Sequence, residues 1–91
     1  MRYELAFTEK ALKEFDKLSP VIAEQFLTKL EKVLENPHIP KNKLFGSKNK
    51  DLYKIKLRSA GFRLIYEVND NRIVVTVISV GRRDTIYQNF I

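Results

Sequence analysis

The sequence contains no cysteine, and only three glycines, three prolines and one histidine. Without cysteine there is no disulfide, no thiolate metal ligand and no thiol nucleophile, and the composition fits a reducing, cytoplasmic setting. The one histidine, His38, sits in a proline-flanked loop and gives little support to imidazole acid–base chemistry or a histidine metal site. Neither a Walker motif nor a Rossmann glycine pattern occurs, and Ser47 lacks the context of a nucleophile elbow. Acidic residues fall mostly on expected helix surfaces, without paired-carboxylate spacing, so no metal and no cofactor are expected. There is no apolar run of about 18 residues to span a membrane. The start of the chain goes straight into an alternating pattern without a signal-peptide core.

What is present is a core and a charge. Apolar residues make up 44% of 91, enough for one compact domain over 1–91 and too many for a disordered chain. Seventeen Lys and Arg face eleven Asp and Glu, a net charge of +6. Residues 1–36 are close to balanced, so the excess lies in 37–91. A basic surface attracts phosphate polymers and acidic proteins.

Tyr3, Leu5 and Phe7 alternate with Arg2 and Glu4, which predicts a half-buried strand. Thr8 is placed to cap a helix over about Glu9–Leu18, with Ala11, Leu12, Phe15 and Leu18 at helical spacing. Ser19-Pro20 starts a second helix, with Ile22, Phe26, Leu27, Leu30, Val33 and Leu34 as its stripe and Glu24, Lys29, Glu31 and Lys32 opposite. Asn36-Pro37 ends it near Glu35. The short connection predicts an antiparallel helical pair. A lysine-rich loop covers 38–50, its middle pinned by Leu44 and Phe45. Two strands and a turn follow over 51–66, then a turn at Asn69-Asp70-Asn71 and a strand from Arg72 to Val80, apolar on both faces and ended by Gly81. Asp84–Ile91 is a short helical turn or an irregular tail. The expected fold is α+β, β-α-α-β-β-β, with a small antiparallel sheet of about four strands packed on an N-terminal helical hairpin.

The hairpin carries the chemistry. Tyr53, Ile55 and Leu57 share one face of a strand; Lys54, Lys56 and Arg58 share the other. Pairing Lys56 with Arg63, Ile55 with Leu64, Leu57 with Phe62 and Tyr53 with Tyr66 keeps one face apolar and the other cationic. A slip of one residue would bury Arg63 beside Leu57. The chosen register gathers Lys54, Lys56, Arg58 and Arg63, and such clustering can lower a lysine pKa and make a neutral amine available as a base. Arg82 and Arg83 follow the last strand, and Tyr87 comes one helical turn after Arg83.

The segments Leu52–Tyr66 and Val77–Arg83, with Phe7, Ala11-Leu12-Lys13-Glu14, Leu18 and Val33–Pro37, resemble the RelE branch of the RelE/ParE toxin superfamily over nearly the whole chain. The resemblance implies the toxin of a type II toxin–antitoxin pair. It would be a metal-independent endoribonuclease that cuts mRNA in the ribosomal A site by attack of the 2′-OH and so inhibits translation. By motif position, Lys54 is then the leading candidate for general base, with Lys56 beside it. Arg63 and Arg83 stabilise charge on the phosphate, Arg83 also being a candidate proton donor, and Tyr87 stacks on or orients the nucleotide. Arg58, Arg82, Lys41, Lys43, Lys48 and Lys50 are candidates for contacts to RNA and ribosome. The implied partners are an acidic, RelB-like antitoxin, the ribosome and mRNA, and operator DNA through the antitoxin. The alternatives are a ParE-like inhibitor of DNA gyrase without RNA chemistry and an inactive nucleic-acid-binding relative.

Overall fold

Alternation and capping set the elements. In the computed structural model, which describes residues 2–44, 51–57 and 61–82, the alternating start of the chain is strand β1, Glu4–Phe7. The Thr8 hydroxyl accepts from the Ala11 N–H at 3.1 Å and starts helix α1, Glu9–Asp16. Ser19 accepts from the Ile22 N–H at 3.4 Å and starts helix α2, Pro20–Glu35, with Pro20 where a missing N–H costs nothing. α1 ends before the expected Leu18, because the N–H groups of Lys17 and Leu18 close on the carbonyls of Glu14 and Phe15 in a tightened last turn. A short 3-10 helix at Pro40–Asn42 follows, then β2 (Leu52–Leu57), β3 (Phe62–Asn69) and β4 (Val74–Arg82).

The sheet runs β1-β4-β3-β2 and is mixed, where the sequence suggested an antiparallel one. β2–β3 and β3–β4 are antiparallel, while β1–β4 is parallel. The cause is the direction of α2, which returns the chain to where β1 began: the Tyr3 N–H donates to the Leu34 carbonyl at 2.8 Å. β2 therefore sets out in the direction of β1, β3 reverses, and β4 returns alongside β1. The helices dock on the sheet rather than mainly on each other, α1 against β4 and α2 against β2.

β4 begins at Val74 rather than Arg72. The Arg72 N–H is held by the Asn69 side chain at 3.0 Å, and Ile73 has φ 58°, a left-handed conformation that a β-branched residue adopts only under local constraint. Nor does Gly81 end β4; it stays paired opposite Arg63, and the strand continues to Arg82.

One core lies between the helices and the sheet. Ala11, Phe26, Leu30, Val33 and Leu34 meet Tyr53, Ile55, Leu57, Leu64, Tyr66, Val68, Val75, Val77 and Val80, with Tyr3, Leu5, Phe7, Phe15, Leu18 and Ile22 around them. Leu12 and Leu27, read as part of the helix stripes, are 46% and 42% exposed. Each follows a fully buried residue, Ala11 or Phe26, and one helical step of about 100° carries it off the core face. Among the described residues no helix is long and apolar enough to cross a membrane.

Candidate functional site

The β2–β3 pairing is the one that polarity selects. Lys56 lies opposite Arg63, Ile55 opposite Leu64, Leu57 opposite Phe62 and Tyr53 opposite Tyr66. Lys54, Lys56 and Arg63 therefore project from the sheet face away from the helices, all three half-buried. Directly opposed side chains have Cβ atoms about 5 Å apart, and same-face neighbours along a strand lie about 7 Å apart. The three cationic side chains are thus neighbours on one face of the sheet. The face also holds a buried patch: Leu52, Ile65 and Ser79 are 4%, 0% and 1% exposed. Lys54 lies directly opposite Ile65 of this patch, and Arg63 two residues before Ile65 on β3. Gly61, with φ 70°, gives the turn its left-handed residue, and its N–H bonds to the Leu57 carbonyl at 2.9 Å.

β4 completes this face through a bulge. Ile65 pairs with Ser79 but Tyr66 pairs with Val77, so Ile78 is the extra residue. A one-residue insertion flips every later side chain to the other face. Val80 thereby returns to the core and Gly81 takes the position beside Arg63. The Glu14 side chain of α1 reaches the same place and accepts the Val80 N–H through Oε1 at 3.0 Å. The bulge also settles Arg82, which pairs with Phe62 and lies 5.9 Å over its ring on the helix side of the sheet, not on the cationic face.

The loop lysines divide. Lys43 pairs with Asp51 at 3.3 Å, next to the bridge that ties residue 43 to Tyr53, and so pins the loop to β2. Lys41 is exposed on the 3-10 helix. Lys48, Lys50, Arg58, Arg83, Tyr87 and the anchor Phe45 lie outside the described residues.

The sequence reading did not find a polar network at the opposite end of the sheet. His38 meets the Tyr53 hydroxyl through Nδ1 at 2.9 Å and Asp70 through Nε2 at 2.8 Å, and the Tyr3 hydroxyl donates to the same Asp70 oxygen at 2.6 Å. Hydrogen bonds from Tyr3 and His38 lower the Asp70 pKa. The bond to Asp70 raises that of Tyr3, and burial raises those of Tyr53 and Tyr66. The ligating atoms of His38, Asp51 and Asp70 lie within 4.8 Å of one another, but Asp70 and Asp51 are already engaged by Tyr3, His38 and Lys43. The network ties the start of β1, the loop after α2 and the β3–β4 turn together. Its signal was unreadable in sequence because its members are spread from residue 3 to residue 70.

Comparison with known proteins adds to this geometry. Residues 5–87 match the family described as ParE toxin of type II toxin–antitoxin system, parDE. The mRNA interferase toxin RelE of Escherichia coli K12 is 55% identical over 84 residues, covering 92% of this chain and 86% of that one. The toxin in the crystal structure of the intact E. coli RelBE toxin–antitoxin complex superposes with a TM-score of 0.84 at 55% identity, over 88% of this chain and 95% of that one. The isolated E. coli RelE toxin gives 0.83 at 50% identity, over 97% and 94%.

Proposed function

The chain belongs to the ParE toxin family of type II toxin–antitoxin systems, and we propose that within it this protein is an mRNA interferase that cuts message on the ribosome, in the A site. The observation that carries the reading is the register that sets Lys56 against Arg63, with Lys54 on the same face. A gyrase inhibitor has no need of that set, whereas cleavage of a phosphodiester by its own 2′-OH does. The 2′-oxygen attacks phosphorus, the bond to the 5′-oxygen breaks, and a 2′,3′-cyclic phosphate and a 5′-OH result. Lys54, with Lys56 beside it, takes the proton of the attacking hydroxyl. Arg63 holds the non-bridging oxygens as charge builds on them. Arg83 adds a second clamp and returns a proton to the leaving 5′-oxygen, and Tyr87 orients the attacking nucleotide.

The proposed partners follow from the same reading. RelE relatives are found in complex with the RelB antitoxin, and an acidic antitoxin would cover or distort this cationic face. Operator DNA would be reached through it. The site of action would be the cytoplasm, where ribosomes carry message.

Mapping mRNA 5′ ends on programmed ribosomes tests the function. Arg63→Ala should slow A-site cutting by about 10²–10³, and Lys54→Ala by about 10²–10⁴ with an altered pH–rate profile. Intact mRNA together with inhibited DNA supercoiling would replace this reading with the ParE-like one.

A further inference from the structure

A second cationic feature lies outside the proposed cleavage face. A hollow of about 580 Å³ opens on the helix side of the β2 edge, lined by Lys29 and Lys32 of α2, Lys41 and Asn42 of the 3-10 helix, Lys56 of β2, and Val33, Ile39 and Ile55 as its floor. Among the described residues its helix-side lining carries the side chains of Lys29, Lys32 and Lys41 and no acid, and it reaches the strand edge at Lys56. Lys29 and Lys32 are three residues apart and so share a helix face. Nothing in the core requires either, since both are exposed and neither belongs to the apolar cluster. The Lys29 ammonium donates to the Lys56 carbonyl at 2.8 Å, which fixes it over the strand edge and leaves two of its three donors for a ligand.

We propose that this hollow is a second anion site, which holds the phosphodiester backbone of ribosomal RNA while the message lies on the other face of the sheet. The inference rests on the ribosomal reading above and adds the surface that docks the enzyme. Three observations favour RNA over an acidic peptide. Lys56 borders the hollow and also stands opposite Arg63, so positive charge continues around the β2 edge from one face to the other. A polyanion with one charge per residue matches such a strip along its length. Lysine ammonium groups are point charges that suit phosphate oxygens without a fixed approach direction. Two carbonyls that an added peptide strand would need at this edge are already taken: Lys29 holds that of Lys56, and the Leu44 N–H holds that of Leu52 at 2.8 Å.

The test is the double variant Lys29→Gln, Lys32→Gln in the full chain, since glutamine keeps the helix propensity of lysine and removes only charge. Binding to vacant ribosomes, without message, is measured over a salt series. Affinity should fall roughly three- to ten-fold, and the log–log salt slope should flatten by about 0.7–0.9 for each lysine removed. On programmed ribosomes the loss should appear in KM while kcat is retained. Unchanged ribosome affinity and slope would overturn the proposal. So would ribosome binding that persists while affinity for an acidic antitoxin peptide collapses, which would make the hollow a peptide site. The ribosome-binding readout is separate from cleavage. Failure of Arg63→Ala to slow cutting would sink the proposed reaction, and the double variant would still report on the hollow.

Discussion

A hydroxyl buried among apolar side chains must find a partner, and the Tyr66 O–H donates to the Pro37 carbonyl at 2.9 Å. Its ring stacks on Tyr53 with centroids 5.4 Å apart, so the residue joins β3 to the end of α2 through both its parts. Tyr66→Phe keeps the ring and leaves the Pro37 carbonyl with the Ile39 N–H, at 3.1 Å, as its remaining donor. We expect a loss of about 0.5–1.5 kcal/mol, read as a lower denaturant midpoint at unchanged m; an unchanged midpoint would mean that the Ile39 N–H or water makes up for the hydroxyl. The side-chain positions most readable in the sequence were those governed by a local period. Lys54, Lys56 and Arg63 followed from strand alternation and the refusal of Arg63 to be buried, and Thr8 and Ser19 from the chemistry of helix starts. The partners of Tyr66 and His38 were not readable, because each depends on where a loop returns in space.

At the scale of elements, β4 shows what a local reading misses. Its apolar run marked it as central, and it does lie between β1 and β3. Neither its parallel pairing with β1 nor its bulge has a signal in the run Val74–Val80, whose residues suit either face. The bulge is set instead by α1, whose Glu14 takes the Val80 N–H on the side that β1, ending at Phe7, does not reach. Glu14→Ala removes a charge-assisted hydrogen bond and should cost about 1.5–3 kcal/mol. Because the bulge also places Gly81 beside Arg63, cleavage should fall together with the melting temperature, and Glu14→Gln, which can still accept, should recover most of both. Loss of stability with full cleavage would show that the bulge holds its register without Glu14.

For the whole molecule, the charge excess of 37–91 was legible as a basic surface, but its division into two faces around one strand edge was not, because α2 contributes Lys29 and Lys32 from the balanced half of the chain. The closure of the fold at its other end was equally hidden, and it makes a prediction for stability against pH. The Asp70 pKa lies below its ordinary value of 3.8 because Tyr3 and His38 donate to the carboxylate. Its contribution is therefore complete above the unfolded pKa and is lost as pH falls through the lower, folded one. Tyr3, Tyr53 and Tyr66 are shifted the other way, above 10.0, the first mainly by its bond to Asp70 and the others by burial. Their contribution is complete below about pH 10 and is lost as pH rises through the raised values, because the unfolded phenols ionise first. Melting temperature should therefore be highest between these limits and fall at both ends. Asp70→Asn should lower it at neutral pH and remove the part of the acid limb below about pH 4, so that the gap to wild type closes as the pH drops. Tyr3→Phe should flatten the start of the alkaline limb. A gap between wild type and Asp70→Asn that stays constant from neutral pH down to about pH 2 would mean that the folded state does not perturb this carboxylate, and that the start of β1 and the β3–β4 turn are joined by packing rather than by Asp70.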